Sequence, residues 1–342
     1  MRIKPLALAT ACALVPCLSH AVTYDIKDTS VTLYGVASLD ALGASNVYDA
    51  TTKTSTDKFY LDNGSQTSSR FGIKGEHVIN PGLKAIFGLE AGLQADTGQT
   101  ASGQLFNRGT YLGLQGNFGK LTAGRQWNLN DDTFGAYFVF GGYAVFRLSE
   151  FGDVSNLYNN SIKYYTPSFG GLQFGVMAGA GEAKSSSDGG NMGEAVVTYG
   201  IGGFSAAVSY HANKDGAGSK TDRLTTAGLN YQIGPVKPRF GYSIAHYPSL
   251  SSNAVAYDLG VDWAITPPVL LSVDYVARDQ KESPDDTQFF RVRLIYAIDS
   301  AVSIYGNVVL MDNKGVAKER FYGDGLAGQK QNVFGIGMQY VF

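Results

Sequence analysis

Period-two alternation recurs along almost the whole chain, and no other feature restricts the fold as strongly. Leu172, Phe174, Val176 and Ala178 alternate with Gln173, Gly175 and Met177. The same pattern returns in Phe204–Tyr210, Tyr257–Trp263, Val269–Tyr275, Phe290–Tyr296 and Phe334–Phe342. Alternation of this kind puts an apolar set on one face of a β-strand and a polar set on the other. After Val22 no segment shows the period of a long amphipathic helix. None approaches 18 consecutive apolar residues, so a transmembrane helix is excluded.

Two all-β architectures share this pattern. A sandwich turns its apolar faces into a core, whereas a membrane barrel turns them out to lipid and keeps water inside. Composition separates them. Charged residues make up only 16% of the chain and glycines number 43, against about 25% charged and about 7% glycine in soluble domains. The apolar faces carry aromatics near segment ends, namely Phe118, Phe169, Tyr199, Phe204, Phe240, Tyr296 and Phe342. The opposite faces carry Gly, Ser, Gln and paired charges, as a polar lumen between two aromatic girdles requires.

Turn signals provide an independent count. Tight turns are expected at Asn80-Pro81-Gly82, Asn117-Phe118-Gly119, Phe169-Gly170-Gly171, Ile201-Gly202-Gly203, Ile233-Gly234-Pro235, Thr266-Pro267-Pro268 and Asp299-Ser300. These seven short turns alternate with eight longer loops. The expected fold is therefore a 16-stranded antiparallel transmembrane β-barrel with both ends on the short-turn side. A barrel of that size encloses an aqueous channel rather than a packed core.

The first 21 residues read as a secretory signal peptide. Arg2 and Lys4 precede a mostly apolar run from Leu6 to Leu18, and Ser19-His20-Ala21 supplies small residues at the cleavage positions. The barrel is expected over residues 22–342. Leu14-Val15-Pro16-Cys17 loosely resembles a lipoprotein cleavage box, with Pro16 where a small residue is expected. Removal of the segment takes away both cysteines, Cys12 and Cys17, so the mature chain has neither disulfide nor thiolate chemistry. Loss of Arg2 and Lys4 makes the net charge two units more negative than -2. Such a chain has no electrostatic affinity for nucleic acid.

One turn-to-turn interval is too long for two strands and an ordinary loop. Residues 128–159 form a connection containing Asp131, Asp132, Phe134, Phe138, Phe140, Phe146, Arg147, Glu150, Phe151 and Asp153. Loops of this length are usually functional or disordered, and the dense aromatics argue against disorder. A long third loop folded into the barrel would narrow the pore. On the wall, Arg70, Lys74 and Glu76 share a parity opposite to Phe71 and Ile73. Arg or Lys facing lipid at the bilayer midplane costs roughly 2–4 kcal/mol, so Arg70 and Lys74 face water. The same parity sends Arg291 and Arg293 inward. Arg125 shares a face with Leu121 and Ala123, and either a bulge or a bond to the loop base would account for it.

Motifs of catalysis are missing: there is no HExxH, P-loop or G-x-S-x-G. His77, His211 and His246 are scattered, and no metal or cofactor is implied. Asp131-Asp132 and Asp285-Asp286 could hold calcium, although solvated acidic loops are the plainer reading. Gly/Ser-rich stretches at 184–191 and 215–220 read as exposed outer loops.

Several ordered motifs resemble the trimeric general porins of Gram-negative bacteria, most closely the beta-proteobacterial type. Ser30-Val31-Thr32-Leu33-Tyr34-Gly35 resembles the first strand, residues 69–75 the second, and residues 82–90 the third. Gly113-Leu114, Gly116-Asn117-Phe118-Gly119 and Gly124-Arg125-Gln126 resemble the strand pair before the constriction loop. Residues 159–171, from Asn159-Asn160-Ser161-Ile162-Lys163 to Phe169-Gly170-Gly171, resemble the strand after it. Tyr340 and the terminal Phe342 resemble the signal read by the outer-membrane assembly machinery.

That resemblance implies a homotrimer in outer-membrane lipid, passing ions and small hydrophilic solutes by diffusion. It implies that Arg70, Lys74 and Arg108 on the wall face loop acids drawn from Asp131, Asp132, Glu150 and Asp153. Relatives of this type often have an arginine just before the Asn-Asn pair, where this chain has Leu157 and Tyr158. Lys163 has the parity of Leu157 and is the candidate to supply that charge deeper in the pore. A solute-selective porin, and an adhesin or structural outer-membrane protein with an incidental pore, are the alternatives to a non-specific channel. The long aromatic and acidic loop favours a channel, because an adhesin has no need to shape its lumen.

Overall fold

The computed structural model describes residues 21–100, 103–135, 137, 157–182 and 186–342. Its strands are β1 (Val22–Ile26), β2 (Thr29–Asp49), β3 (Thr54–Asp62), β4 (Arg70–Asn80), β5 (Leu83–Gly92), β6 (Gly109–Gly116), β7 (Gly119–Trp127), β8 (Leu157–Tyr165) and β9 (Leu172–Gly179). They continue as β10 (Met192–Ile201), β11 (Phe204–Lys214), β12 (Thr221–Tyr231), β13 (Val236–Tyr247), β14 (Ser252–Thr266), β15 (Val269–Gln280), β16 (Thr287–Ala297), β17 (Val302–Asn313) and β18 (Gln331–Val341). A short helix, α1 (Leu129–Phe134), follows β7. From β4 onward each strand pairs antiparallel with the next, and β18 closes the sheet on β2.

The strand segments fill sixteen positions. β18 pairs with Val36–Ala44 of β2, and β1 continues the same edge along Thr29–Leu33. On the opposite edge β4 takes Thr29–Val36 and β3 takes Asp40–Asp49. β2 is therefore about twice the length a tilted membrane strand needs. Its far half rises with β3 into an outer hairpin, which the alternation did not reveal. All seven expected turns join consecutive strands, from Pro81–Gly82 between β4 and β5 to residues 298–301 between β16 and β17.

Burial is inverted relative to a soluble protein. On β14, Leu259 is 63% exposed while neighbouring Asp258 is 1% exposed. Phe334, Ile336, Met338 and Tyr340 likewise line the outside of β18. The apolar faces point to lipid and the polar faces to the lumen, as the alternation requires.

β2 and β18 meet at the seam. The Gly35 N–H donates to the Phe342 carbonyl at 2.7 Å, and the Phe342 N–H donates to the Gly35 carbonyl at 3.0 Å. The Phe342 ring lies against Gly35, where an added Cβ would clash with it. Tyr340 stacks on Phe342 with ring centroids 5.9 Å apart. Gly35→Val should push the ring off the seam. The purified barrel should then lose its folded gel mobility at a lower temperature than wild type, while Gly43→Val, at a position with open space around it, should leave that temperature unchanged.

Candidate pore constriction

α1 forms directly after β7. Asn128 is its N-cap, and the Asn128 side chain accepts from the Asp131 N–H at 2.7 Å. Asp131 and Asp132 fill the first turn, where the helix dipole favours acids. The helix crosses to the inner faces of β9, β10 and β11. Leu129 is fully buried there, and Ser209 donates to the Asn130 side chain at 2.9 Å. Phe134 and Tyr137 lie against Gly228, whose missing side chain leaves them room.

Lys163 and Asp132 come together. The Lys163 ammonium lies 2.6 Å from the Asp132 carboxylate and donates to the Trp127 carbonyl at 3.0 Å. The Tyr165 hydroxyl donates to the same carboxylate at 3.3 Å. Asp131 stands one residue earlier in α1, whereas Glu150 and Asp153 lie outside the described residues.

Arg70, Lys74 and Arg108 gather on and beside the adjoining strands β4–β6 around Glu90, an acid of the wall itself. Arg108 lies 2.7 Å from the Glu90 carboxylate, and Arg70 lies 3.8 Å from it. Tyr34 donates its hydroxyl to Glu90 at 3.0 Å, and the Lys74 ammonium sits 5.2 Å from the Tyr34 ring centre. Arg108 also stacks on Trp127 at 4.9 Å, and Lys120 lies 5.7 Å from the Tyr111 ring. These cation–ring contacts hold long side chains against the wall without neutralising them. Glu90, Tyr34 and Trp127 were not singled out from the sequence. Glu90 was legible, because it has the opposite parity to Phe87 and Leu89 and must face water.

Arg291 points inward as its parity required, into a compact ionic wall. It donates to Asp274 at 2.8 Å and approaches Asp258 at 3.6 Å. One layer away, Arg239 donates to Asp262 at 2.7 Å and Ser272 adds a bond of 2.6 Å. Asp258, Asp262, Asp274, Arg239 and Arg291 are each at most 5% exposed. Arg125 falls at a bulge in the β7–β8 register and donates to the Asn107 carbonyl at 2.8 Å and to the Asn159 side chain at 2.6 Å.

Beside α1, Lys120, Asp132, Tyr137, Tyr165, Pro167 and Gln173 are among the residues that line an open cavity of about 540 Å³. A closed barrel with lipid-facing apolar residues and water-facing charges is a transmembrane channel. The chain matches the family model of the Gram-negative porin over residues 7–316. It is 31% identical over 228 residues to an outer membrane porin protein of Bordetella pertussis, a match spanning 63% of this chain and about half, 54%, of that relative. It is 26% identical over 344 residues to outer membrane porin protein 32 of Delftia acidovorans, covering 93% of this chain and 95% of that one. Among solved structures, the anion-selective porin from Comamonas acidovorans superposes with a TM-score of 0.84 at 24% identity, covering 92% of this chain and all of that one.

The chain belongs to the Gram-negative porin family. It is a multi-pass β-barrel of the outer membrane and forms a channel for passive solute diffusion.

The two charged walls differ in burial, and their variants should differ accordingly. Removing one partner of a buried ion pair costs about 3–5 kcal/mol. Arg291→Met should therefore lower the unfolding midpoint of the detergent-solubilised barrel clearly. Arg70→Met, at a side chain 18% exposed, should lower it less. Denaturant titration of both variants checks the order.

Proposed function

We propose that the channel is a non-specific diffusion pore whose narrow point lies where the connection after β7 folds into the lumen. The Lys163–Asp132 pair, which bridges wall and helix at 2.6 Å, carries this reading most directly. On the adjoining strands Arg70, Lys74 and Arg108 outnumber Glu90, the acid that both arginines touch. A cationic strip facing Asp131 and Asp132 makes a transverse field, which orients dipolar solutes and sets the preference between anions and cations. Glu150 and Asp153, farther along the same connection, are proposed to extend its acidic side. Kinship with porins supports reading the chain as a channel rather than an enzyme.

Three further assignments accompany this reading. Residues 1–21 are a signal peptide and residues 22–342 the mature barrel. Strand pairing from Val22 supports that boundary. The channel is a homotrimer in outer-membrane lipid. The outward face of β2 carries Ala37, Ala41 and Gly43 around a single larger residue, Leu39, which supports the approach of a second wall there. Tyr340 and Phe342 are presented to the assembly machinery, and Phe342→Ala should lower the yield of folded porin in outer-membrane fractions.

The test of the constriction is the pair Arg70→Ala with Arg108→Ala. Glu90 then faces the pore without its arginines, and the Asp131–Asp132 side is less opposed. The permeability ratio in planar bilayers should move toward cations and conductance should rise. Raising salt should shrink the difference, because the Debye length falls from about 10 Å at 0.1 M to about 3 Å at 1 M. A reversal potential unmoved by the pair would overturn the assignment.

A further inference from the structure

Behind α1 lies a buried group of side chains that neither the pore field nor the barrel seam uses. The Glu194 carboxylate of β10 accepts the first two N–H groups of α1, from Leu129 at 2.7 Å and from Asn130 at 2.8 Å. Glu194 is 5% exposed. Directly across the β10–β11 register stands His211, which is fully buried, with its Nδ1 3.8 Å from the Glu194 carboxylate. The other ring nitrogen of His211 meets the Tyr158 hydroxyl at 3.0 Å. Tyr158 lies on β8, just beyond the far end of the long connection, and Leu129 lies at its beginning.

We infer that Glu194, His211 and Tyr158 form a clasp that holds the two ends of the constriction loop together on the β10–β11 wall, with Glu194 as the positioning residue for Asp132. The inference rests on the proposal that this loop narrows the pore.

The chemistry supports a positioning role. Helix amides without an intrahelical acceptor need one when buried, and hydrogen bonds to a charged acceptor are shorter and stronger than neutral ones. A carboxylate with two oxygens satisfies two amides at once and fixes the direction of the helix as well as its position. A single hydroxyl or amide oxygen would leave the helix free to pivot. Three residues further on, Asp132 meets Lys163 on β8. Loss of the Glu194 contact therefore lets α1 move and separates Asp132 from Lys163, although neither of those residues has changed.

The experiment compares Glu194→Gln, Glu194→Ala and Tyr158→Phe as full-length porin in planar bilayers with potassium chloride as the probe. Current variance in the open channel should rise severalfold for Glu194→Ala. It should rise less for Glu194→Gln, which keeps one carbonyl acceptor, and for Tyr158→Phe, which removes only the outer hydroxyl. Folded gel mobility should match wild type in all three, separating loop positioning from barrel stability. The shift in reversal potential caused by Glu194→Ala should shrink when Asp132→Asn is already present, because Glu194 acts through Asp132. If Asp132→Asn alters conductance while the Glu194 variants stay as quiet as wild type, the clasp is wrong and the constriction stands. If neither alters conductance, the constriction is wrong and the clasp falls with it. If Glu194→Ala loses folded mobility, Glu194→Gln and Tyr158→Phe decide: wild-type variance in both overturns the clasp.

Discussion

Hydrocarbon offers no hydrogen bonds, so every backbone amide and carbonyl crossing it must be paired within the protein. The rest of this structure depends on that requirement. It forces the sheet to close, and closure brings β18 beside β2 and Phe342 beside Gly35. It also fixes which side chains face which solvent. Once the sheet is a ring, each strand has one lipid side and one water side, and charge can enter only on the second. The strong alternation of the chain is the trace of that sorting.

Confinement of charge to the lumen then permits two different uses of it. On β13–β16, arginines and aspartates pack beside one another until they are as buried as a protein core. Their fields largely cancel, and the wall acts as a rigid ionic lattice. On β4–β8 the basic residues outnumber the acids, and several are held by aromatic rings. A ring keeps a cation in place and leaves its charge intact. Net field is therefore expected from the side where Arg70, Lys74, Arg108 and Lys163 lie, although Arg239 and Arg291 on the other wall are just as strongly charged.

The barrel was legible in the sequence because period-two alternation and turn residues are local signals. Parity correctly sent Arg70, Lys74, Arg291 and Arg293 inward for the same reason. The pairing of those charges was not legible. Glu90 meets Arg108 because β5 and β6 are neighbours in register, and Arg70 joins them from β4. That convergence depends on strand stagger and rotamer, which no single strand reveals. Lys163, reached from the family pattern together with its parity on β8, is a basic wall residue that touches an acid of α1, as Tyr165 also does. The doubled length of β2 stayed hidden, since nothing in its own residues marks where lipid ends and the outer hairpin begins.

Glu194 shows where sequence reading stops. On β10 it occupies an inward position, and alternation gives it water as a neighbour, like any other lumen acid. Its partners are the backbone amides of Leu129 and Asn130, which leave no mark on side-chain pattern. A helix of six residues is too short to hold itself in place by its own hydrogen bonds, since helix nucleation is unfavourable and short helices depend on tertiary contacts. α1 thus takes its position from the wall it touches, and a carboxylate aimed at its first turn is the strongest such contact available there. The contacts that hold α1 come from other strands, with Glu194 on β10 at its first amides and Lys163 on β8 at Asp132. A rigid β10–β11 wall sets where α1 begins, α1 sets where Asp132 points, and Lys163 on β8 receives it.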